Sequence, residues 1–479
     1  ISMKNLICYL TVALGLLIVL SIPIPAQTAA IEGNWLGTLE RSGVKLRLVL
    51  KVTKAADGSL TAKIDSIDQG ANDLVVDSFS GQNKSVHFEA KKYGMSYEGT
   101  LNEKGDEISG TFKQGPASLP LIFKRTTVAI KSGRPQDPQK PYPYDEEEVT
   151  YENKKDAVKL AGTLTLPPAR GGKHPAVILI TGSGAQDRNE TILGHRPFLV
   201  LADYLTKRGI AVLRVDDRGI GGSSMGSQAA TSENYAGDVL AGIEYLKSRK
   251  EINPKQIGLI GHSEGGMIAP LASVRSKDVA FIVLMAGTGQ TGEDVLYTQS
   301  ALIQKAGGAT TELIRLNTTA LKNIFAIMKA EPDNSRAEKR IRETLEKQMS
   351  GLNEEQRKIF APIKVAAESQ IQSTLSPWFR YFVTYDPRPT LEKVKIPVLA
   401  INGENDLQVS SKENLEIIAT TLKKSRNKDY TIKSFPKLNH LFQTSKTGSP
   451  GEYATIEETI APIVLETIGD WIVKRTIVK

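Results

Sequence analysis

The chain has 479 residues, 40% of them hydrophobic and 24% charged, which describes a globular protein with a sizeable core and predicts two domains. A formal net charge of +8 does not by itself mark a nucleic-acid partner: the basic residues are spread among acids, and the densest patch, "SRAEKRIRETLEKQ", alternates sign as a solvated helix face does. The only cysteine, Cys8, lies in the first thirty residues, so a chain without them would use neither disulfides nor thiolate chemistry.

Residues 1–30 differ from the rest. Lys4 precedes the apolar run "LICYLTVALGLLIVLSIPI", and "PAQTAA" then supplies the small residues of a cleavage site, so the segment reads as a signal peptide cut near Ala30. The alternative is an uncleaved membrane anchor, which the run would just span; the prolines and the small residues weigh against it. Cys8 sits too close to the charged start to read as a lipoprotein cysteine. The expectation is an exported protein, periplasmic or secreted, with no stable membrane insertion after cleavage.

From 31 to 128 the sequence is a series of short alternating runs. In "VKLRLVLKV" Leu46, Leu48, Leu50 and Val52 share one face, while Lys45, Arg47 and Lys51 project from the other. Similar runs follow at short intervals, separated by "ADGS", "GQNK" and "NEKGD", with no helical pattern between them, which predicts a small antiparallel β-barrel or sandwich with a filled core. Residues 129–145, around "SGRPQDPQKPYPYDEEE", read as a Pro-rich linker.

In 146–479 the pattern changes to apolar, β-branched runs alternating with amphipathic helices. The runs are "AVILIT" (176–181), "IAVLRV" (210–215), "QIGLI" (256–260), "AFIVLM" (280–285) and "PVLAIN" (397–402). Such strands require a mostly parallel sheet covered on both faces. The last helix is expected to carry Ile456, Ile460, Ile463, Val464, Ile468 and Trp471 on its packed stripe. Between the fourth and fifth runs, about 290–385, helical periodicity without a strand predicts an inserted cap over the strand ends, where open α/β sheets bind ligands.

Gly-x-Ser-x-Gly occurs twice, at Gly261–Ser263–Gly265 and at Gly222–Ser224–Gly226. Ser263 follows a buried strand and runs straight into a helical pattern, the tight strand-to-helix turn that lifts a nucleophilic hydroxyl above a sheet. Ser224 leads into the polar "SQAATSEN" and reads as a loop serine. A serine needs a base, and there are five histidines. His87 lies in the β domain, His174 precedes a strand, and His262 adjoins the nucleophile and would pack sideways. His195 is a surface histidine with a substrate contact as the alternative role. His440, late in the chain after the strand-like "YTIKSF", is the candidate base. Asp406 in "PVLAINGENDLQV" is the candidate acid that orients it, with Glu404 the runner-up. Oxyanion donors are expected at the backbone N–H of Glu264 and in "GSGAQDRNE" at Ser183 or Gly184. That loop lacks both the third glycine of a dinucleotide fingerprint and a Walker lysine, so no phosphate cradle is expected. Asp216 and Asp217 have no accompanying ligand cluster, and neither a metal nor a cofactor is expected.

The motifs "GHSEGG", "ITGSGAQDRNE", "VDDRGIGGS", "INGENDLQV" and "LNHLFQ" together resemble those of bacterial exported α/β-hydrolases related to serine aminopeptidases and esterases, a dienelactone-hydrolase-related group. The resemblance covers about 150–479. It implies the α/β-hydrolase fold with an inserted cap, Ser263 as nucleophile, Asp406 and His440 as its partners, Ser183 and Glu264 at the oxyanion hole, and carboxylesterase activity on small acyl esters. Dienelactone hydrolases proper use a cysteine where position 263 is serine. The segment 31–125 resembles the lipocalin-like leader of some of these hydrolases.

The expected function is therefore an exported serine hydrolase cleaving carboxylic esters of small or medium acyl groups. The alternative within enzymes is a serine peptidase acting on short peptides, with acidic cap residues such as Glu293 and Asp294 holding a substrate ammonium. A non-catalytic binding protein, with the β domain as the capture element, is the reading from a different class. The expected partner is a small ester or a short peptide, with no nucleic acid.

Overall fold

The computed structural model describes residues 31–477 apart from 42–43, 56, 70, 116, 128–133 and 169–171. The signal-peptide reading of 1–30, Cys8 included, lies outside the described residues. Among the described residues no helix is long and apolar enough to cross a membrane.

The chain divides into two compact units. One holds the described parts of Ile1–Gly37, Leu50–Ile64 and Val75–Thr127; the other holds the described parts of Thr38–Val49, Asp65–Leu74 and Val128–Lys479.

The N-terminal strands are β1 (Gly33–Arg41), β2 (Val44–Lys54), β3 (Leu60–Ser66), β4 (Ala71–Val75), β5 (Ser78–Gln82), β6 (Ser85–Ala90), β7 (Met95–Leu101), β8 (Glu107–Gln114) and β9 (Ala117–Thr126). They form one nine-stranded sheet in the order β4-β3-β2-β1-β9-β8-β7-β6-β5. The pairs β1–β9 and β5 through β9 are antiparallel. Alternation drives Val86 and Phe88 of β6, Tyr97 of β7, Ile108 and Phe112 of β8, and Leu121 and Phe123 of β9 to one buried face. Tyr97 stacks on Phe88 and meets Phe123 edge-on, and its hydroxyl donates to the carbonyls of Ile108 and Leu121, so the one polar atom in that cluster is satisfied.

The second unit carries β10 (Asp145–Asn153), β11 (Val158–Leu166), β12 (His174–Ile180), α1 (Pro197–Lys207), β13 (Ala211–Val215), α2 (Ser232–Ser248), β14 (Ile252–His262), α3 (Glu264–Ser273) and β15 (Val279–Met285). The helices α4 (Gly292–Ala306), α5 (Thr311–Ala330), α6 (Asn334–Ser350), α7 (Glu354–Ser369), α8 (Ile371–Thr374) and α9 (Pro377–Thr384) follow without an intervening strand, over the stretch expected to be a cap. The chain then returns through α10 (Arg388–Leu391), β16 (Val398–Gly403), α11 (Ser411–Lys424), β17 (Tyr430–Phe435) and α12 (Pro462–Thr476).

The eight strands order as β10-β11-β13-β12-β14-β15-β16-β17, antiparallel as far as β11–β13 and parallel from there on. This is an α/β-hydrolase sheet. Successive side chains alternate between its faces: Ala176, Ile178 and Ile180 pack with α2, α3 and α11, whereas Val177 and Leu179 pack with α1 and α12. The cap helices bury a core of their own, with Leu316, Phe325, Ile341, Leu345 and Phe360 at its centre.

Three expectations need correction. The hairpin of β10 and β11 went unread, because its outer strand is acidic and sits against the Pro-rich stretch. Within that stretch, residues from 134 on are docked: Arg134 donates to the carbonyls of Leu193, Ala454 and Ile456, Gln136 to that of Ile460, and Arg196 pairs with Asp137. Finally, α12 begins at Pro462, so Ile456 and Ile460 precede it, and Ile463 is exposed; the buried stripe is Val464, Leu465, Ile468, Trp471 and Ile472.

Candidate active site

Strand β14 ends at His262 and α3 starts at Glu264, leaving Ser263 alone to turn the chain. Its backbone adopts φ 54°, ψ −116°, a strained conformation for a residue with a Cβ, of a kind that costs about 1–3 kcal/mol. The turn is held by Ser263 N–H donating to the Met285 carbonyl at 2.8 Å and by Gly266 N–H donating back to Ser263 at 2.9 Å. It needs both glycines of the motif: a Cβ on Gly261 would overlap the Gly265 carbonyl, and one on Gly265 would overlap that of Ile180. Glu264 is the first residue of α3, so its amide is among the N–H groups that a helix start leaves without an intrahelical carbonyl. By contrast, Ser224 accepts from Lys159 N–H and serves the loop.

Two further strand exits converge. Asp406 lies just past β16 and His440 past β17, both buried, and His440 Nδ1 donates to Asp406 Oδ2 at 2.8 Å. The other carboxylate oxygen accepts from Gln408 N–H and Val409 N–H at 2.8 and 2.9 Å. With Nδ1 fixed as the donor, a neutral His440 presents Nε2 as a lone pair, the form a general base requires. Glu404 accepts from Ser434 and is not the partner of His440.

The loop after β12 approaches Ser263 from the other side: a Cβ on Gly182 would lie 3.3 Å from Ser263 Cβ. Gly182 N–H donates to Glu190 Oε1 at 2.7 Å, and the amides of Ser183 and Gly184 follow it in the loop. Asp217 clamps the loop at both ends, accepting from Thr181 Oγ1 and from Gln186 N–H. Burial pushes its carboxyl up to about 7, against those two donors and with the Glu190 and Glu264 charges adding to the rise. Asp216 holds the same loop, accepting from Arg188 N–H at 2.9 Å and pairing with the Arg188 guanidinium.

A cavity of about 250 Å³ runs beside this loop, between the sheet and α2 and α3. Its walls are mainly apolar, including Leu160, Ile178, Val215, Val239 and Ile268, with Gly184, Trp378 and Glu264, the residue after Ser263, also lining it; Ser263 and His440 do not. The Glu264 side chain is buried and accepts from Ser232 Oγ at 2.6 Å and from Trp378 Nε1 of α9 at 2.9 Å. Burial raises its carboxyl above the ordinary range, against the lowering by those two donors.

Several side chains fall elsewhere than expected. His195 is not at the surface and faces no substrate space: it is fully buried, with Nδ1 on Thr459 Oγ1 and Nε2 on the Tyr453 carbonyl. Glu293 is paired with Lys329, and the exposed Asp294 accepts from Thr291 Oγ1. Sequence reasoning gave no role to Glu190, although it ends the motif "ITGSGAQDRNE", weighed Asp217 only as a metal ligand, and missed Trp378, which lies in no motif. Among the described residues no cluster of His, Cys, Asp and Glu could hold a metal.

The sequence profile of the family described as X-Pro dipeptidyl-peptidase (S15 family) matches residues 156–429, a span that includes Ser263 and Asp406 and stops short of His440. Among curated proteins, Esterase EstD of Thermotoga maritima is 26% identical over 398 residues, 82% of each chain. Thiohydrolase aneE of Aspergillus aculeatus is 33% identical over 144 residues, 29% of this chain and 42% of that one. Among solved structures, esterase Pf2001 of Pyrococcus furiosus superposes with a TM-score of 0.39 at 17% identity, covering 70% of this chain and 91% of that one. Est1E of Butyrivibrio proteoclasticus gives 0.38 at 15% identity, covering 69% and 99%.

Proposed function

The chain belongs to the X-Pro dipeptidyl-peptidase (S15) family of α/β-hydrolases, and on that premise we propose that it is a serine carboxylesterase for small or medium acyl groups, with Ser263, His440 and Asp406 as its triad. The observation that carries this reading is the 2.8 Å bond from His440 Nδ1 to Asp406 Oδ2, which leaves Nε2 free to accept a proton, on a chain whose only Gly-x-Ser-x-Gly at a strand-to-helix turn holds Ser263.

In this mechanism Ser263 Oγ attacks the ester carbonyl carbon while His440 Nε2 takes its proton, and the imidazolium so formed is stabilised by Asp406. The carbonyl oxygen becomes an oxyanion held by the amides of Glu264 and Ser183. The tetrahedral intermediate collapses, the C–O bond to the alcohol breaks, and Nε2 returns the proton to the leaving alkoxide. Water, deprotonated by His440, then attacks the acyl-enzyme, and the acid leaves as Ser263 regains its proton. The mainly apolar cavity beside Gly184 and Glu264 suits an uncharged acyl chain. The likeness to Esterase EstD over 82% of both chains supports an ester substrate.

The second reading, a peptidase releasing short N-terminal pieces, is favoured by the family itself. The two are separated by assaying p-nitrophenyl esters of increasing acyl length beside Xaa-Pro p-nitroanilides, with wild type and Ser263→Ala. Ester turnover lost in the variant supports the esterase. Anilide turnover exceeding ester turnover replaces it with the peptidase, and activity retained in Ser263→Ala refutes both.

A further inference from the structure

His262, the residue before Ser263, is enclosed by acceptors. Its Nδ1 lies 2.9 Å from Glu190 Oε1, and its Nε2 lies 2.9 Å from the backbone carbonyl of His440. A neutral imidazole has one N–H, so one of these two contacts would set a lone pair against a lone pair. Against an ionised Glu190, two protons are needed, one on each ring nitrogen. His195 makes the contrast: the Thr459 hydroxyl at Nδ1 and the Gln443 side-chain amide at Nε2 can both donate to the ring, beside the Tyr453 carbonyl at Nε2, so a neutral ring finds donors there.

Glu190 has the geometry of a fixed counter-ion. It is buried, its backbone is held at φ 53°, and the Oε1 that meets His262 also accepts from Gly182 N–H at 2.7 Å. The ionisable groups around the pair are His440, whose ring lies 4.8 Å from that of His262, Asp406 behind it, and Asp217 near Glu190. Phe442 closes the remaining side.

We infer that Glu190 and His262 are positioning residues: a buried ion pair that ties the backbone of His440 and the loop carrying Ser183 to the two ends of one rigid strut beside Ser263. His262 stays an imidazolium through the working pH range. Burial alone would lower its affinity for a proton, but the Glu190 charge and hydrogen bond, with the His440 carbonyl and the Asp406 charge, outweigh this and raise it. A pair of this kind is costly to break from one side, because the remaining charge is left buried and alone. The inference rests on the reading of His440 as the base.

The test reads the proton and the chemistry separately. With ¹⁵N-histidine-labelled protein, the His262 ring, assigned by its loss in His262→Asn, is expected to show two N–H groups at about pH 8, where an unperturbed histidine has lost one. A neutral ring there overturns the inference, whether or not the protein cleaves esters. In Glu190→Gln, checked for folding by its thermal transition, the rate at which a fluorophosphonate modifies Ser263 should fall by roughly 10²-fold, as a displaced base would cause. The alkaline limb of its pH profile should also move to lower pH. A uniform loss with an unmoved profile marks a merely structural glutamate and overturns it. Wild type left unmodified by the probe refutes instead the reading of Ser263 and His440, and the NMR result still decides the ion pair.

Discussion

The Asp406 carboxylate meets His440 through Oδ2 alone, because Oδ1 is taken by the amides of Gln408 and Val409. The backbone thus fixes the rotation of the carboxylate, and the carboxylate fixes the tautomer of the imidazole. The exit of β16 holds Asp406 and the exit of β17 leads to His440, so the parallel register of Val398 through Gly403 with Tyr430 through Phe435 sets their separation.

Asp406→Asn keeps the shape and one acceptor but can place an amide N–H against Nδ1, favouring the wrong tautomer. On the proposed mechanism kcat for a p-nitrophenyl ester should fall by roughly 10⁴-fold, with KM little changed. Glu404→Gln, whose partner is Ser434, should stay within about twofold of wild type. Equal losses in the two variants would mean that the acid has been misassigned.

Gly265→Ala tests the turn. The added methyl would overlap the Ile180 carbonyl, so β12 and α3 must separate or the elbow must open. The expected cost is about 3 kcal/mol in urea unfolding, with activity lost even where the protein remains folded. Ala at Gly184, which has open space around its Cβ position but φ +95°, should cost about 1 kcal/mol from backbone strain alone. If Gly265→Ala folds as stably as wild type, the close packing of the elbow on β12 is refuted.

What could be read in the sequence was what strand order and tight turns dictate. The five apolar runs are strands because both their faces are covered, and Ser263, Asp406 and His440 stand out because each follows a strand at the edge where α/β sheets place chemistry. A motif can contain a side chain without showing the distant partner that gives it its role, and outside a motif nothing marks it. Glu190 and His262 are 72 residues apart, and Trp378 and Glu264 are 114 apart. His195 reads as a surface loop residue, yet Thr459 and Tyr453, more than 250 residues away, enclose it. The acidic face of β10 conceals its alternation, and Glu293 reads as available until α5 brings Lys329 to it.

Trp378 links the cap helices to the nucleophile turn, donating from α9 to the side chain of Glu264 while forming part of the cavity wall. Trp378→Ala should enlarge the cavity beside Glu264 and shift the best p-nitrophenyl ester toward longer acyl chains. One methylene of altered fit is worth about 1 kcal/mol, so the shift should appear as a several-fold change in relative kcat/KM. Trp378→Phe retains the ring and loses only the hydrogen bond, so its chain-length profile should stay near wild type. An unchanged profile in Trp378→Ala would place the acyl group away from this wall.

Two perturbed groups near the loops of the site have opposite effects on stability as pH changes. Asp217 is raised by burial to about 7, so the native state holds its proton where the unfolded state has lost it, and its contribution to stability falls as pH rises from about 4 to 7. His195 is lowered to about 4 by burial and then by the Arg134 charge, so the unfolded state binds a proton first, and stability is lost as pH falls from about 6.5 to 4. Asp217→Asn can still accept from Gln186 N–H with its oxygen and donate to Thr181 Oγ1. It removes the term that falls with pH, so its stability relative to wild type should climb through that window by up to about 1.4 kcal/mol per pH unit. Urea midpoints measured across the window provide the comparison, and parallel curves for the two proteins would show that Asp217 titrates in the ordinary carboxylate range.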